Sequence, residues 1–338
     1  MIKNKRFTKV GVIGVGGYVP KYRLKVEGSL GIKHKSVAGK DEDTVSLAVE
    51  AGRIALQRAG IKAEELGAVL VGSESHPYAV KPTGTIVGDI LGVGSNYYCA
   101  DLEFACKAGT TGIIIIAGMI EAGMIECGIA IGADVAQAKP GDALEYTAGA
   151  GVGAVILGSR KYKWQTELLR TSSFNSDTAD FWRREGEDYP EHGGRFTGEP
   201  GYFKHVIEGA EEFLKKGKEK IEDFDEVVLH MPNVKFPLRA GERLGIKEKQ
   251  LEKGFIVKEI GNPYSASSML GLVKVLEEGK KNERVLVTSY GSGAGSDCLS
   301  FRIKNEKRWF KKKVDVKEQL KNIEYVSYAE YLQMRGMV

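Results

Sequence analysis

The sequence contains two segments that repeat the same order of strand, turn and helix. In the first, "AVLVGSES" is followed by a turn and helix at Cys106 and then by the strand "GIAIGAD". In the second, "EVVLHMPN" is followed by a turn and helix at Asn262 and then by "RVLVTSYG". Glu74 precedes Cys106 by 32 positions, and His230 precedes Asn262 by 32 positions. The pattern predicts a duplicated α/β unit about a pseudo-twofold axis, with these four polar residues facing one pocket.

Composition excludes several classes of protein. With 49 basic and 45 acidic residues in 338 positions, the net charge of +4 is too small for a dedicated nucleic-acid binder. Glycines break the apolar N-terminal stretch, which argues against a signal peptide. Glu121 and Glu126 interrupt the most apolar run, which argues against a membrane span. The four cysteines include no Cys-x-x-Cys pair, so no metal site is predicted, and free thiols fit a cytoplasmic protein.

Cys106 is the candidate nucleophile. It lies between "ADLEFA" and a string of small residues that leads into an apolar helix. A thiol at a helix N-terminus lies near the positive end of the helix dipole, which favours the nucleophilic thiolate. The structural alternative is a buried cysteine that acts as a small apolar residue.

The other three polar residues have complementary chemistry. His230 is a candidate acid or base, Asn262 a hydrogen-bond partner of a carbonyl or a water, and Glu74 a group that moves a proton from carbon or oxygen. The N–H groups of Cys106 and Gly293 are candidates for an oxyanion hole, because the glycines of "YGSGAGS" allow close approach to a ligand. Structural alternatives are a solvated glutamate, a turn at "HMPN" and a helix start at "NPYS".

Seven motifs together resemble those of a known family, the hydroxymethylglutaryl-CoA synthases of the archaeal type. The motifs are "VGSESHPYAVKPTGT", "ADLEFACKAGTTG", "GDALEYTAGAGVGAVILG", "GGRFTGEPGYFKHV", "HMPNVKFPLRAGERLG", "GNPYSASSMLGL" and "SYGSGAGSD". The resemblance covers nearly the whole chain and implies an α/β thiolase fold, in which a duplicated βαβαβαββ unit forms a five-layer α/β/α/β/α sandwich. The halves would then span 1–163 and 164–304, followed by a C-terminal extension over 305–338.

The resemblance implies a reaction in which acetyl-CoA, acetoacetyl-CoA and water give 3-hydroxy-3-methylglutaryl-CoA and CoA, on the mevalonate route to isoprenoids. Cys106 would carry the acetyl group as a thioester, and Glu74 would remove a proton from its methyl group. His230 would position and polarise the acetoacetyl group. Asn262 and Ser292 resemble residues that contact the acyl thioester. CoA thioesters are substrates here, and no further cofactor is implied.

The resemblance also suggests a binding surface. Lys235, Arg239, Arg195 and Thr197 match positions that contact CoA or product, although Arg239 stands where a lysine is expected. Thr147, in "EYTAG", resembles a residue of an active-site loop, and a plain turn is the alternative.

Around Gly28–Leu30 the sequence is shorter than in the family, where an acidic residue in this stretch contacts substrate. The stretch is therefore either a true deletion or an omitted loop, and we assign no ligand contact to it.

Three other readings of the sequence are open. A β-ketoacyl-acyl-carrier-protein synthase III shares the Cys, His and Asn but lacks a glutamate placed like Glu74, and a biosynthetic thiolase needs a second catalytic cysteine, for which Cys298 has the wrong motif. A non-catalytic scaffold subunit is the third.

The resemblance also implies a homodimer, with the apolar "GAGVGAVILG" as a buried surface, and a complex with an acetoacetyl-CoA thiolase and a small zinc-ribbon/OB-fold protein.

Overall fold

The structure is a computed structural model that describes residues 6–26, 30–135, 138–305 and 315–337. Of the shortened stretch at Gly28–Leu30, positions 28 and 29 lie outside the described residues. Leu30 lies in an exposed turn with φ of 50°.

The first half alternates strands and helices as the sequence predicts. Helix α1 begins where Asp43 Oδ1 accepts a hydrogen bond from Ser46 N at 2.7 Å, and it ends at Gly60, whose φ is 68°. The elements are β1 (Gly11–Tyr18), β2 (Tyr22–Lys25), β3 (His34–Val37), α1 (Thr44–Ala59), β4 (Ala68–Gly72), α2 (Thr83–Leu91), β5 (Tyr98–Leu102), α3 (Ala108–Glu121), β6 (Cys127–Asp134) and β7 (Gly151–Gly158).

The second half and the C-terminal segment contain several short helices in addition to the repeated strands and helix predicted from the sequence. They are β8 (Thr166–Asn175), β9 (Phe181–Trp182), β10 (Glu191–His192), α4 (Gly194–Phe196), α5 (Phe203–Gly217), β11 (Glu226–Leu229), α6 (Lys235–Leu244), α7 (Glu248–Leu251), α8 (Val257–Ile260), α9 (Ala266–Glu278), β12 (Arg284–Thr288), β13 (Gly295–Ile303), α10 (Val316–Gln319), β14 (Glu324–Val326) and α11 (Tyr328–Met334).

The main sheet has mirrored strand orders in its two parts. Among the described residues, nine strands run in the order β11-β12-β13-β8-β1-β7-β6-β4-β5. Outward from β8, the second half contributes β13, β12 and β11. Outward from β1, the first half contributes β7, β6, β4 and β5. Each half therefore places its last strand beside its first, followed by its earlier strands. Within the described sheet, strands β1 and β8 join the two parts through a short antiparallel pairing, in which Gly11 lies opposite Glu167 and Val12 opposite Thr166. This order fits the predicted duplication.

Apolar side chains form three large buried clusters, and each cluster packs one group of helices against the strands. Helices α3 and α9 lie in the middle, where Ile113 and Leu272 belong to one buried cluster with strand residues of both halves. Helices α1 and α2 cover the outer face of the first half, where Leu47 is buried. Helices α5 and α7 cover the outer face of the second half, around Phe213. Helix layers therefore alternate with sheet layers, as the five-layer prediction requires.

Glycines bring helix α9 close to strands β6 and β7. A Cβ on Gly132 would lie 2.5 Å from the Ser265 carbonyl oxygen, and one on Gly153 would lie 2.6 Å from Leu270 N. Any larger residue would push the start of α9 away from the strands. This approach places Ser265 beside the end of β6, where part of the candidate site lies.

Strand β7 is an interior strand of the main sheet. It pairs with β1 on one side and β6 on the other, and all of its residues are buried within the single chain. The "GAGVGAVILG" segment was expected to form a dimer surface, and this expectation is wrong because both edges of the strand are already paired. Strand β5 pairs with β4 and lies at the end of the described order, with Tyr98 53% exposed.

The C-terminal segment packs against the first half. Strand β14 pairs in parallel with β2, which pairs with β3 in a second sheet. Val316 of α10 is buried in the central cluster, and Tyr331 of α11 is buried against Leu24 and Val37.

Candidate active site

Glu74 and Cys106 form a direct pair. Glu74 follows the end of β4, and Cys106 lies in a short turn just before α3. The Cys106 Sγ donates a hydrogen bond to Glu74 Oε1 at 2.9 Å, and Cys106 is 6% exposed. Burial, together with the charge of Asp134, raises the pKa of Glu74 to about 8. The thiol of the buried Cys106 therefore points at the carboxyl group of the partly exposed Glu74.

The pKa of the Cys106 thiol is raised well above its ordinary value, first by burial and then by the charge of Glu74. The sequence led us to expect that the helix dipole would favour the thiolate. Cys106 does lie before the start of α3, but that expectation is wrong for the free protein because burial and the neighbouring carboxylate act more strongly.

Asp134 lies at the end of β6 and accepts hydrogen bonds from the residues that follow β4. Its Oδ1 accepts hydrogen bonds from Ser73 Oγ at 2.8 Å, Glu74 N at 2.9 Å and Ser75 Oγ at 2.7 Å, and its Oδ2 accepts one from Ser265 N at 2.8 Å. Burial raises its pKa. Asp134 thus fixes the backbone of Glu74 and joins it to the start of α9 in the other half.

Asn262 lies in a turn before α9 and is joined to the segment that carries Thr147. Asn262 N donates to the Thr147 carbonyl oxygen at 2.7 Å, and the Asn262 carbonyl oxygen accepts from Gly149 N at 2.9 Å. The side-chain Oδ1 accepts from Tyr264 N at 3.0 Å. Tyr264 belongs to the same buried cluster as Cys106, so the turn of Asn262 lies in the same part of the molecule as the nucleophile.

His230 follows the end of β11 and is 1% exposed. Burial lowers the pKa of His230 to about 3, so its imidazole is neutral near pH 7. Its main-chain oxygen accepts a hydrogen bond from Tyr202 Oη at 2.7 Å, and its ring centroid lies 6.1 Å from that of Tyr290. Its buried Nδ1 has no hydrogen-bond partner among the described residues.

The glycine turn between β12 and β13 is tied to Asp180. Gly293 N donates to Asp180 Oδ1 at 2.7 Å, and Tyr290 Oη donates to Asp180 Oδ2. Asp180 is fully buried. The expected oxyanion-hole role of Gly293 is at odds with this contact, because an N–H that donates to a carboxylate is not available to a substrate oxygen. Ser292 lies in the same turn and is partly exposed.

The expected CoA-contacting residues lie at the surface. Lys235 and Arg239 are exposed on α6, and the Arg239 guanidinium lies 5.3 Å from the centre of the Phe203 ring. Arg195 is exposed and Thr197 is partly exposed in the segment around α4. In the part of the chain that the structure describes, these residues make no hydrogen bond or ion pair with Cys106 or Glu74.

Four buried residues beside the pair were missed by the sequence reasoning. Asp134 had a usable signal, since it ends the buried strand "GIAIGAD" just as Glu74 follows the end of another strand. Tyr264 lies in "GNPYSASSMLGL" and Tyr290 in "SYGSGAGSD", two motifs in which the sequence pointed only to neighbouring residues. Asp180 has no local signal, because it lies in an irregular segment whose partners come from elsewhere in the chain.

Within 6–26, 30–135, 138–305 and 315–337, no group of three or more His, Cys, Asp or Glu side chains is arranged to hold a metal ion. No helix in these ranges is long and apolar enough to cross a membrane.

Comparison with known proteins decides the family. The chain is 52% identical to a hydroxymethylglutaryl-CoA synthase of Archaeoglobus fulgidus, over 97% of this chain and 99% of that protein. This chain belongs to the hydroxymethylglutaryl-CoA synthase family. The resemblance found in the sequence motifs is therefore confirmed.

Solved structures show the same fold at much lower identity. A hydroxymethylglutaryl-CoA synthase complexed with CoA has a TM-score of 0.86 and 21% identity, with 96% of this chain and 90% of that chain covered. A 3-oxoacyl-(acyl carrier protein) synthase III from Pseudomonas aeruginosa has a TM-score of 0.81 and 20% identity, with 88% and 99% covered. These similarities confirm the predicted thiolase-like fold.

A family model described as the C-terminal part of 3-oxoacyl-[acyl-carrier-protein] synthase III matches residues 214–303. This range contains His230 and Asn262, while Glu74 and Cys106 lie outside it. The match thus describes the second half of a fold that the two families share.

Proposed function

We propose that this protein condenses acetyl-CoA with acetoacetyl-CoA and water to give 3-hydroxy-3-methylglutaryl-CoA and CoA, a step of the mevalonate route to isoprenoids. The observation that carries the proposal is the 2.9 Å contact between Cys106 Sγ and Glu74 Oε1 in a chain of this family. A nucleophile and a carbon base must both reach the same acetyl group, and this contact supports the assignment of those two roles to Cys106 and Glu74.

In the first step, Cys106 passes its proton toward Glu74, and its sulfur attacks the carbonyl carbon of acetyl-CoA. The bond between that carbon and the CoA sulfur breaks, and CoA leaves as a thiol after taking up the proton. The raised pKa of Glu74, about 8, makes this carboxylate a usable proton acceptor near neutral pH. The acetyl group then remains as a thioester on Cys106.

In the second step, Glu74 removes a proton from the acetyl methyl group. The resulting enolate carbon attacks the ketone of acetoacetyl-CoA, and the new alkoxide takes the proton back from Glu74. Water then cleaves the thioester at Cys106, which releases the product carboxylate and restores the thiol. Main-chain N–H groups stabilise the enolate oxygen, and with Gly293 engaged by Asp180 the candidates are Cys106 and Ser292.

His230 acts as a neutral group in this scheme. With a pKa of about 3, it can donate one N–H to the ketone oxygen of acetoacetyl-CoA without losing that proton. Such a donor polarises the ketone toward attack by the enolate. Asn262, joined to Thr147 through the main chain, would orient the acyl thioester beside Cys106.

The exposed cations of α6 and the nearby α4 segment supply the proposed CoA-binding surface. Lys235, Arg239 and Arg195 are candidates for the phosphates of CoA, with Thr197 as a neutral hydrogen-bond partner. The exposure of the three cations fits this role, because a phosphate that is still partly hydrated needs accessible donors.

The test follows an isotopically labelled acetyl group. Purified enzyme is incubated with labelled acetyl-CoA, and the label is located by peptide mass spectrometry before and after acetoacetyl-CoA is added. We expect label on Cys106 that is chased into 3-hydroxy-3-methylglutaryl-CoA by the native protein. In Glu74→Ala we expect slower labelling of Cys106, and label that then stays on the enzyme. No label on Cys106 in the native protein would overturn the proposal and favour the scaffold alternative.

A second candidate function is that of a β-ketoacyl-acyl-carrier-protein synthase III, which the match over residues 214–303 favours. Such an enzyme would acetylate the same cysteine and then condense it with a malonyl-carrier protein, with loss of carbon dioxide. The labelled enzyme distinguishes the two functions, since only this alternative transfers the acetyl group to a malonyl-carrier protein and leaves acetoacetyl-CoA unused.

The assembly and location of the protein remain proposals. A homodimer that pairs strand β5 with its symmetry mate fits the position of this strand at the end of the sheet order, and it replaces the β7 surface expected from the sequence. We also propose a complex with an acetoacetyl-CoA thiolase and a small zinc-ribbon/OB-fold protein, a cytoplasmic location, and a division of the chain into 1–163, 164–304 and 305–338.

A further inference from the structure

The loop of residues 138–148 forms one wall beside Cys106. Ala138 and Ala148, at the two ends of this loop, belong to the buried cluster that contains Cys106 and Tyr264. Just before Ala148, the Thr147 carbonyl oxygen accepts the hydrogen bond from Asn262 N. The position of the loop therefore sets the position of the Asn262 turn relative to the nucleophile.

Glu145 holds this loop together from within. Its Oε2 accepts a hydrogen bond from Gly141 N at 2.7 Å, across the loop. Although it is only 5% exposed, its Oε1 also accepts a hydrogen bond from Tyr328 Oη at 3.1 Å. The buried Lys35 donates to the main-chain oxygen of Glu145. A carboxylate this buried needs its donors, and one of them comes from the C-terminal helix.

Helix α11 is attached to the rest of the protein independently of the loop. Ser327 Oγ accepts a hydrogen bond from Glu330 N at the start of α11, and the preceding strand β14 pairs with β2. Tyr331 packs its ring over Lys35, whose Nζ lies 4.3 Å from the ring centre, and its hydroxyl oxygen lies 3.2 Å from the same Nζ. Tyr328 and Tyr331 thus reach Glu145 from a fixed support.

We propose that helix α11 is a positioning element for the active site, acting through Tyr328 on Glu145 and through Tyr331 and Lys35 on the same loop. The C-terminal helix holds loop 138–148 in the place where Thr147 binds Asn262. This inference rests on the proposed function for its kinetic consequence, and neither Tyr328 nor Tyr331 touches the reacting atoms in the scheme above.

The test compares two tyrosines of the same segment. Tyr328→Phe removes the hydroxyl that reaches Glu145, and Tyr328 is 46% exposed, so the substitution leaves the packing of α11 intact. Tyr325→Phe is the matched control, because Tyr325 is 51% exposed on β14 and its hydroxyl pairs with His34 instead of the loop. Both variants of the full chain are compared with the native protein in steady-state condensation and in hydrogen–deuterium exchange of residues 140–150.

We expect Tyr328→Phe to lower kcat by about fivefold, to leave KM for acetyl-CoA unchanged, and to speed amide exchange over residues 140–150. Tyr325→Phe should match the native protein in both readouts. Equal kcat and equal exchange in the two variants would overturn the inference. An equal loss of melting temperature in both variants that accounts for the changes in kcat and in exchange would also overturn it. If the native protein makes no condensation product, the proposed function fails, while the exchange comparison still decides whether α11 holds the loop.

Discussion

The Sγ of Cys106 lies 2.9 Å from Oε1 of Glu74, although 32 positions separate the two residues in the chain. The contact joins the end of strand β4 to the turn before α3, and in it the thiol donates a hydrogen bond to the carboxylate. The charge of Glu74 raises the pKa of the Cys106 thiol, whereas the hydrogen bond from that thiol lowers the pKa of Glu74. The chemistry of the nucleophile and of the proposed carbon base is therefore coupled, and a change at one should be measurable at the other.

The first prediction concerns the reactivity of Cys106. Glu74→Gln removes a negative charge that raises the pKa of the thiol, so the pKa should fall and more thiolate should be present near pH 8. We expect iodoacetamide to alkylate Cys106 about tenfold faster in Glu74→Gln, because a larger fraction of the thiol is then ionised. Peptide mass spectrometry gives the rate, and the partly exposed Cys99 in the same sample is the internal reference. A slower or equal rate at Cys106 contradicts the coupling.

The second prediction concerns the pH dependence of enolate formation. Glu74 must be deprotonated to act as a base, and its pKa is about 8, so the rate on acetylated enzyme should rise with pH up to about that value. Loss of the thiol hydrogen bond on acetylation removes a contact that lowers the pKa of Glu74, which moves the rise to somewhat higher pH. Exchange of the acetyl methyl protons for deuterium, followed by mass spectrometry, measures this step alone.

A charge-removing variant checks the same assignment. Asp134→Asn removes a negative charge that raises the pKa of Glu74, so the rise in methyl exchange should move to lower pH. The substitution also sets an amide N–H against Ser265 N, so a loss of about 1–3 kcal/mol in stability is expected. A profile that is flat from about pH 6 to about pH 9 in the native protein argues against Glu74 as the base.

The third prediction concerns the charge state of His230. Burial lowers the pKa of His230 to about 3, so its ring should stay neutral throughout the pH range in which the enzyme is folded and active. In ¹⁵N-labelled protein, the ring nitrogen shifts of His230 should not change between about pH 5 and about pH 8. The partly exposed His192 is the reference signal in the same spectrum, and His230→Gln identifies the resonance. A titration of His230 near pH 6 is the contrary result.

The fourth prediction concerns the residue next to the nucleophile. Lys107 Nζ lies 2.9 Å from Asp297 Oδ1, and the two side chains are 3% and 0% exposed. Lys107→Met leaves Asp297 as an unpaired buried charge and should lower the free energy of unfolding by about 3–5 kcal/mol. Lys107→Met combined with Asp297→Asn should lose less than the sum of the single variants, as measured by urea unfolding. Additive losses are inconsistent with a direct pair.

The fold was largely predictable because its signals are local or periodic. Buried strands such as "GAVLVGSES" and a helix bounded by Asp43 and Gly60 follow from hydrophobic pattern and capping chemistry. The repeated order predicted one turn and helix between the strands "AVLVGSES" and "GIAIGAD", and the structure adds helix α2 and strand β5 there. The position of β7 in the interior of the sheet was also not predictable, because an apolar strand has the same sequence pattern whether it lies inside a sheet or at an interface.

The sequence by itself determined the duplication, the equal spacing of Glu74 to Cys106 and of His230 to Asn262, and the family. Tertiary structure decided what those residues can do. The pKa of Cys106, the engagement of Gly293 by Asp180 and the hold of Tyr328 on Glu145 all depend on partners from distant segments. Burial and charge at a side chain are set by everything that surrounds it in space, and a linear pattern records only its neighbours along the chain.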